Sequence, residues 1–135
     1  MTLKHSYQWI AQRSLMASDS LLQNNNQENA AFMAYHAFES TGCALSESCN
    51  LPVGQTISHI KKIKIFKHAA ERVGHNYSVA LLSVQITNLR NHLLYPLVDA
   101  QGNVISIPEQ TITLIEARKL KSRVQGIVNW VDQKI

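Results

Sequence analysis

The sequence is poor in the residues that make turns. Its 135 residues hold 5 glycines and 3 prolines, about half the usual frequency, which leaves few chain reversals and favours a small number of long helices over a many-stranded sandwich. It is also poor in charge. Charged residues are 16% against about 25% in an average soluble domain, so Asn, Gln, Ser and Thr supply much of the polar surface. No apolar run approaches the roughly 18–20 residues that span a bilayer, and the segment Met1–Ile10 lacks the basic-then-apolar order of a secretory signal. The expectation is a cytoplasmic protein with no membrane partner.

Metal-ligand patterns are missing too. Cys43 and Cys49, the only cysteines, match no zinc or thioredoxin-like spacing and read as free thiols. Six histidines (His5, His36, His59, His68, His75, His92) include no pair at the three-or-four spacing of a helical metal site. There is no glycine-rich phosphate loop, nucleophile elbow or paired-carboxylate motif, so neither a metal nor a cofactor is expected.

What is present is helical periodicity, over a length suited to one domain spanning residues 1–135. From Ser6 to Leu22, the residues Trp9, Ile10, Met16, Ala17 and Leu21 recur near three, four and seven. The polar run Gln23–Gln27 ends that helix. From Asn29 to Ser48 a stripe of Ala31, Ala34, Tyr35, Phe38, Gly42 and Leu45 runs beside a second one of Phe32, His36, Glu39 and Cys43, which predicts a well-buried helix. After a break at Asn50–Gly54, Ser58 is placed to cap a third helix with Ile60, Ile63, Phe66, Ala70 and Val73 inward and Gly74 as its C-terminal cap. A fourth helix from Ser78 carries Val79, Leu82, Ile86, Leu89 and Leu93, and Pro96 stops it at Tyr95. The segment Leu97–Ile107 suits a small hairpin. Pro108 opens a last helix with Leu114, Ala117, Lys121, Val124, Val128 and Val131 in line. The predicted fold is an all-α bundle of four or five helices, up-and-down in the main, with a short hairpin or irregular excursion before the last helix.

The net charge of +4 mildly favours anionic partners. Nine of the 13 Lys and Arg residues fall in two stretches, around Lys61–Arg72 and Arg118–Arg123. In the first, Lys61, Lys64, His68 and Arg72 share one helix face, a ridge suited either to a phosphate backbone or to plain solvation. Glu39, within one turn of Tyr35 and His36, is placed to face Arg90 across the bundle, where a buried ion pair would need full hydrogen bonding.

The densest polar cluster is Arg90, Asn91, His92 and Tyr95 at the end of the fourth helix. Arginine clamps phosphate with two parallel donors and a neighbouring amide positions it; the plain alternative is an exposed cation at a helix C-terminus. At this motif the chain resembles the HEPN superfamily, compact helical bundles whose ribonuclease members carry an arginine, often followed by asparagine, and then a histidine. Trp9 in the first helix, the run Ala34–Ser40 in the second and the charged third helix follow the same family order. Here the four-residue spacing from Arg90 reaches Tyr95, and the longer spacings reach Pro96 and Leu97. An ordinary tyrosine titrates near 10 and is a poor base at neutral pH, and His92 lies about 200° around the helix from Arg90.

The resemblance therefore implies a binding or interaction module without turnover. It would engage RNA, a nucleotide or a minimal nucleotidyltransferase partner, and would form a homodimer with the motif at its interface. The alternatives are a metal-independent, toxin-like ribonuclease using Arg90 with His92 or Tyr95, and a purely structural helical dimerisation protein.

Overall fold

The computed structural model describes all residues 1–135. The chain forms α1 (Leu3–Gln23), α2 (Gln27–Ser48), α3 (His59–Val73), α4 (Tyr77–Leu94), β1 (Leu97–Val98), β2 (Val104–Ser106), α5 (Pro108–Thr111) and α6 (Leu114–Lys134). This is the expected all-α bundle with a hairpin before the last long helix. The two strands pair antiparallel with Leu97 opposite Ser106. Asp99 holds the turn between them: its Oδ1 accepts from the backbone amides of Gln101 and Asn103 at 2.9 and 2.8 Å.

Local chemistry sets the helix ends. Thr2, Ser58 and Asn76 each accept an amide of the first turn that follows them, satisfying donors a helix start leaves open. Gly74 ends α3 at φ 136°, a backbone region that L side chains rarely adopt. Pro96 stops α4 one residue earlier, and Tyr95 takes an extended conformation (φ −129°, ψ 148°).

One expectation at the C-terminal end needs correcting. Pro108 does not begin the last helix but a single turn, because Ile112 is extended and Thr113 starts α6 afresh. Thr113 Oγ1 accepts from the Glu116 amide while the Glu116 carboxylate accepts from the Thr113 amide, each at 3.1 Å. This reciprocal capping box makes a strong helix start.

α2 is the central helix, with 14 buried residues and α1, α3, α4 and α6 packed around it. Burial of Ala30, Ala31, Ala34 and Ala37 lets α1 approach closely, and α1 answers with Ala11, Ser14, Leu15, Ser18 and Leu22. The sequence stripe of α1 was therefore out of phase: Trp9 and Met16 are 57% and 63% exposed. The core face includes two serines whose hydroxyls donate to backbone carbonyls, Ser18 to Ala30 at 2.8 Å and Ser14 to Ile10 at 2.8 Å. A hydrogen-bonded hydroxyl is cheap to bury. Lys121, the polar interruption on α6, reaches Asp19 of α1 at 2.9 Å.

Candidate functional site

The site forms where the start of α3 passes the second half of α4 above α2. Ser58 fixes the first turn of α3, so His59 and Lys62 stand one turn apart and face α2. On α2, Tyr35 and Glu39 are also one turn apart and share a face. Glu39 is 8% exposed. Its Oε2 accepts from the Tyr35 hydroxyl at 2.6 Å and from His59 Nδ1 at 2.7 Å, and Lys62 Nζ stands 3.6 Å from Oε1.

Burial alone would push Glu39 up, but the hydrogen bonds from Tyr35 and His59 and the nearby cations outweigh it and hold the carboxyl below its ordinary value. It is ionised at neutral pH. Tyr35 is shifted strongly upward by burial and by its bond to Glu39, so the phenol remains a donor. His36, beside this group, is pushed down by burial, with Glu39 opposing and His59 and Lys62 adding to the shift. The Cys43 thiol is pushed up to about 12 by burial, and both cysteines are free.

α4 supplies the opposite wall. Thr87, Arg90 and Asn91, three and four residues apart, line a cavity of about 200 Å³ together with Tyr35, Ser58 and His59. Arg90 is half-buried and pairs with no carboxylate. Its guanidinium makes one long contact, 3.4 Å from Nη1 to Asn91 Oδ1, and its Nε–H is buried without an acceptor. A buried donor left open in this way asks for an explanation. The cavity has one carboxylate near it, Glu39, which already accepts two hydrogen bonds beside Lys62. The remaining charge is the Arg90 cation, which suits an anion.

The sequence-predicted cluster is split by the fold. Arg90 and Asn91 are in the cleft. His92 is exposed on another side of α4. Tyr95 does not converge with Arg90 as expected: it lies past the helix end in extended backbone, is 60% exposed, and is not among the cavity's lining residues. Glu39 does lie beside the cleft, but its ion-pair partners are His59 and Lys62 rather than Arg90. Sequence reasoning passed over His59, Lys62 and Thr87. The available signal was the Ser58 cap, which fixes where α3 begins and so places His59 and Lys62 on the same face as Ile63.

The basic ridge of α3 is also divided. Lys61, Lys64 and His68 border a shallow groove with Leu51, Pro52 and Ile65. Arg72 turns back toward the preceding loop, its Nη1 3.4 Å from the Cys49 carbonyl, and His68 stands 3.9 Å from Glu71.

No known family's sequence pattern matches the chain, and no curated protein matches it. In three dimensions it is similar to TT1696 from Thermus thermophilus, whose crystal structure superposes with a TM-score of 0.82 at 17% identity over 100% of both chains. That likeness establishes the helical architecture along the whole chain.

Proposed function

We propose that the chain is a HEPN-like binding module, without catalytic turnover, whose α3–α4 cleft takes a phosphate group of RNA or a nucleotide. The observation that carries this reading is Arg90: a cation with a buried, unpartnered Nε–H lines a cavity whose neighbouring carboxylate is already engaged by other donors. A phosphate oxygen is the acceptor it lacks, and arginine binds phosphate through a planar set of donors. Asn91 flanks the guanidinium, its Oδ1 accepting from Arg90, and its side-chain nitrogen offers a neutral donor; the Thr87 hydroxyl already donates to the Ser83 carbonyl. The test is titration of the protein with labelled RNA at two salt concentrations, with Arg90→Ala beside the wild type. Binding that weakens with salt and is lost in the variant supports the reading; affinity indifferent to Arg90 removes it.

One observation favours a second reading, the metal-independent ribonuclease. His59 is held through Nδ1 by an ionised carboxylate, an arrangement that orients a ring and leaves Nε2 free for proton transfer. In that reading His59, rather than His92 or Tyr95, handles the proton and Arg90 stabilises developing phosphate charge. RNA incubated with the protein and a chelator decides it: cleavage lost in His59→Gln supports turnover, and intact RNA at high protein concentration excludes it.

The homodimer, the minimal nucleotidyltransferase partner and the cytoplasmic location belong to the same proposal. The hairpin supports the homodimer, since Leu97, Val98, Val104, Ile105 and Ile107 are all exposed there and a contiguous apolar patch commonly marks an interface. No helix is long and apolar enough to cross a membrane.

A further inference from the structure

The cleft does not end at Arg90. Ile60, Ile63 and Thr87 line both the Arg90 cavity and a second one of about 300 Å³, so the two are segments of a single groove between α3 and α4. The second segment is bordered by Lys64 and Lys67 from α3 and by Ser83 and Asn88 from α4. Neither lysine has an ion-pair partner in the folded chain; the four close pairs present involve Glu39, Glu71 and Asp19. The charge of the two walls is one-sided. From Ser58 to Tyr95 the sequence holds six Lys and Arg residues and a single acid, Glu71, and α4 carries no carboxylate at all. His59 and Lys67 are eight residues apart, about 12 Å along the helix. A lone phosphate cannot occupy both ends.

From this geometry we infer that the groove is a track for a single-stranded oligonucleotide, with one phosphate at Arg90 and its neighbours along Lys64 and Lys67. This rests on the phosphate-cleft reading above and extends it from one phosphate to several in a chain. Exposed apolar lining argues for a nucleic acid over an inorganic polyanion: Ile60 and Val84, which line the second segment, are 54% and 70% exposed, apolar surface that riboses and bases can cover and polyphosphate cannot. Binding of this kind draws its affinity from phosphate neutralisation and is strongly salt-dependent.

The test uses a fluorescein-labelled eight-nucleotide oligouridylate, with uridine monophosphate and inorganic polyphosphate as competitors, on the wild type, on Arg90→Ala and on the double variant Lys64→Gln/Lys67→Gln. Both lysines are exposed, so the double variant should fold; a circular dichroism melt checks this. The expected result is that the double variant weakens the oligonucleotide tenfold or more. It also flattens the slope of log affinity against log salt by about 1.4, from roughly 0.7 per phosphate on a single strand, and leaves uridine monophosphate binding unchanged. Oligonucleotide affinity untouched by the double variant overturns the track while leaving the Arg90 cleft standing. Polyphosphate that competes as well as the oligonucleotide overturns the nucleic-acid assignment. Failure of every probe to bind in an Arg90-dependent way overturns both the track and the cleft reading.

Discussion

Glu39 and His59 meet at 2.7 Å across the α2–α3 interface, and the same carboxylate oxygen accepts the Tyr35 hydroxyl at 2.6 Å. One buried oxygen thus fixes two side chains of the cleft wall. In Glu39→Gln the amide oxygen accepts without charge, and the amide nitrogen needs an acceptor of its own. The expected cost is about 1–3 kcal/mol, measured by urea unfolding at pH 7. Because folding lowers the Glu39 pKa below its ordinary 4.5, its contribution is present above that value and is lost as pH falls through the folded-state pKa. The acid limb of the stability profile should be shallower in the variant.

His36 acts in the same direction at higher pH. Burial lowers its pKa below 6.5, so the unfolded chain binds the proton more readily than the folded one. Stability should be full above about 6.5 and decline as pH drops toward the folded-state pKa. His36→Gln, followed by the urea midpoint between pH 7.5 and 5, should remove part of that decline. An unchanged profile would assign it to other groups.

The central helix contains a close approach that reverses a usual rule. A Cβ added at Gly42 would stand 2.6 Å from Cγ of Phe66, whose ring packs on Phe38 at 5.0 Å between centroids. Alanine normally gains up to about 1 kcal/mol over glycine inside a helix. Here the overpacking cost of about 1–3 kcal/mol should win, so Gly42→Ala lowers the melting temperature. Phe66→Leu, which costs stability alone, should cost less in the Gly42→Ala background.

Much of this fold was legible in the sequence. The double stripe of α2, the Ser58 and Gly74 boundaries of α3 and the Pro96 stop of α4 all rest on local chemistry, and all are where that chemistry puts them. The phase of α1 was not legible, because its core face includes Ser14 and Ser18, which count as polar until their backbone acceptors are known. Ile60 misled in the opposite sense: it fits the apolar rhythm of α3 yet is 54% exposed, lining the groove between α3 and α4. At the site, Arg90 and Asn91 stand out through local density, whereas the Glu39–His59 contact joins residues 20 apart in sequence on two helices and depends on how α3 packs. Tyr95 belonged to the cluster by spacing alone; the helix end that Pro96 imposes takes it away from Arg90.

The exposed hairpin yields a prediction about assembly. If it seats a second copy of the chain, Ile105→Lys, which places a charge on an uncovered strand without disturbing the helices, should convert a dimer to a monomer by light scattering at micromolar concentration. A wild type that is monomeric at that concentration would count against the dimer.

Arg90 and Tyr95 should also separate functionally. Arg90→Ala removes the cleft's unpaired cation and should abolish oligonucleotide binding, whereas Tyr95→Phe, outside the cleft, should leave affinity within about twofold. Equal losses in both would restore the phenol to the site.

The most direct measurement is the 1H–15N resonance of the Arg90 Nε–H, identified by its absence in Arg90→Lys, followed while uridine monophosphate is added. This donor is buried and has no acceptor in the folded chain. A bound phosphate should move its signal downfield in a saturable way, with the Asn91 side-chain amide shifting alongside. An Arg90 resonance that stays in place at saturating nucleotide, or that moves no more than those of exposed arginines such as Arg118, would contradict the assignment of this cleft to phosphate.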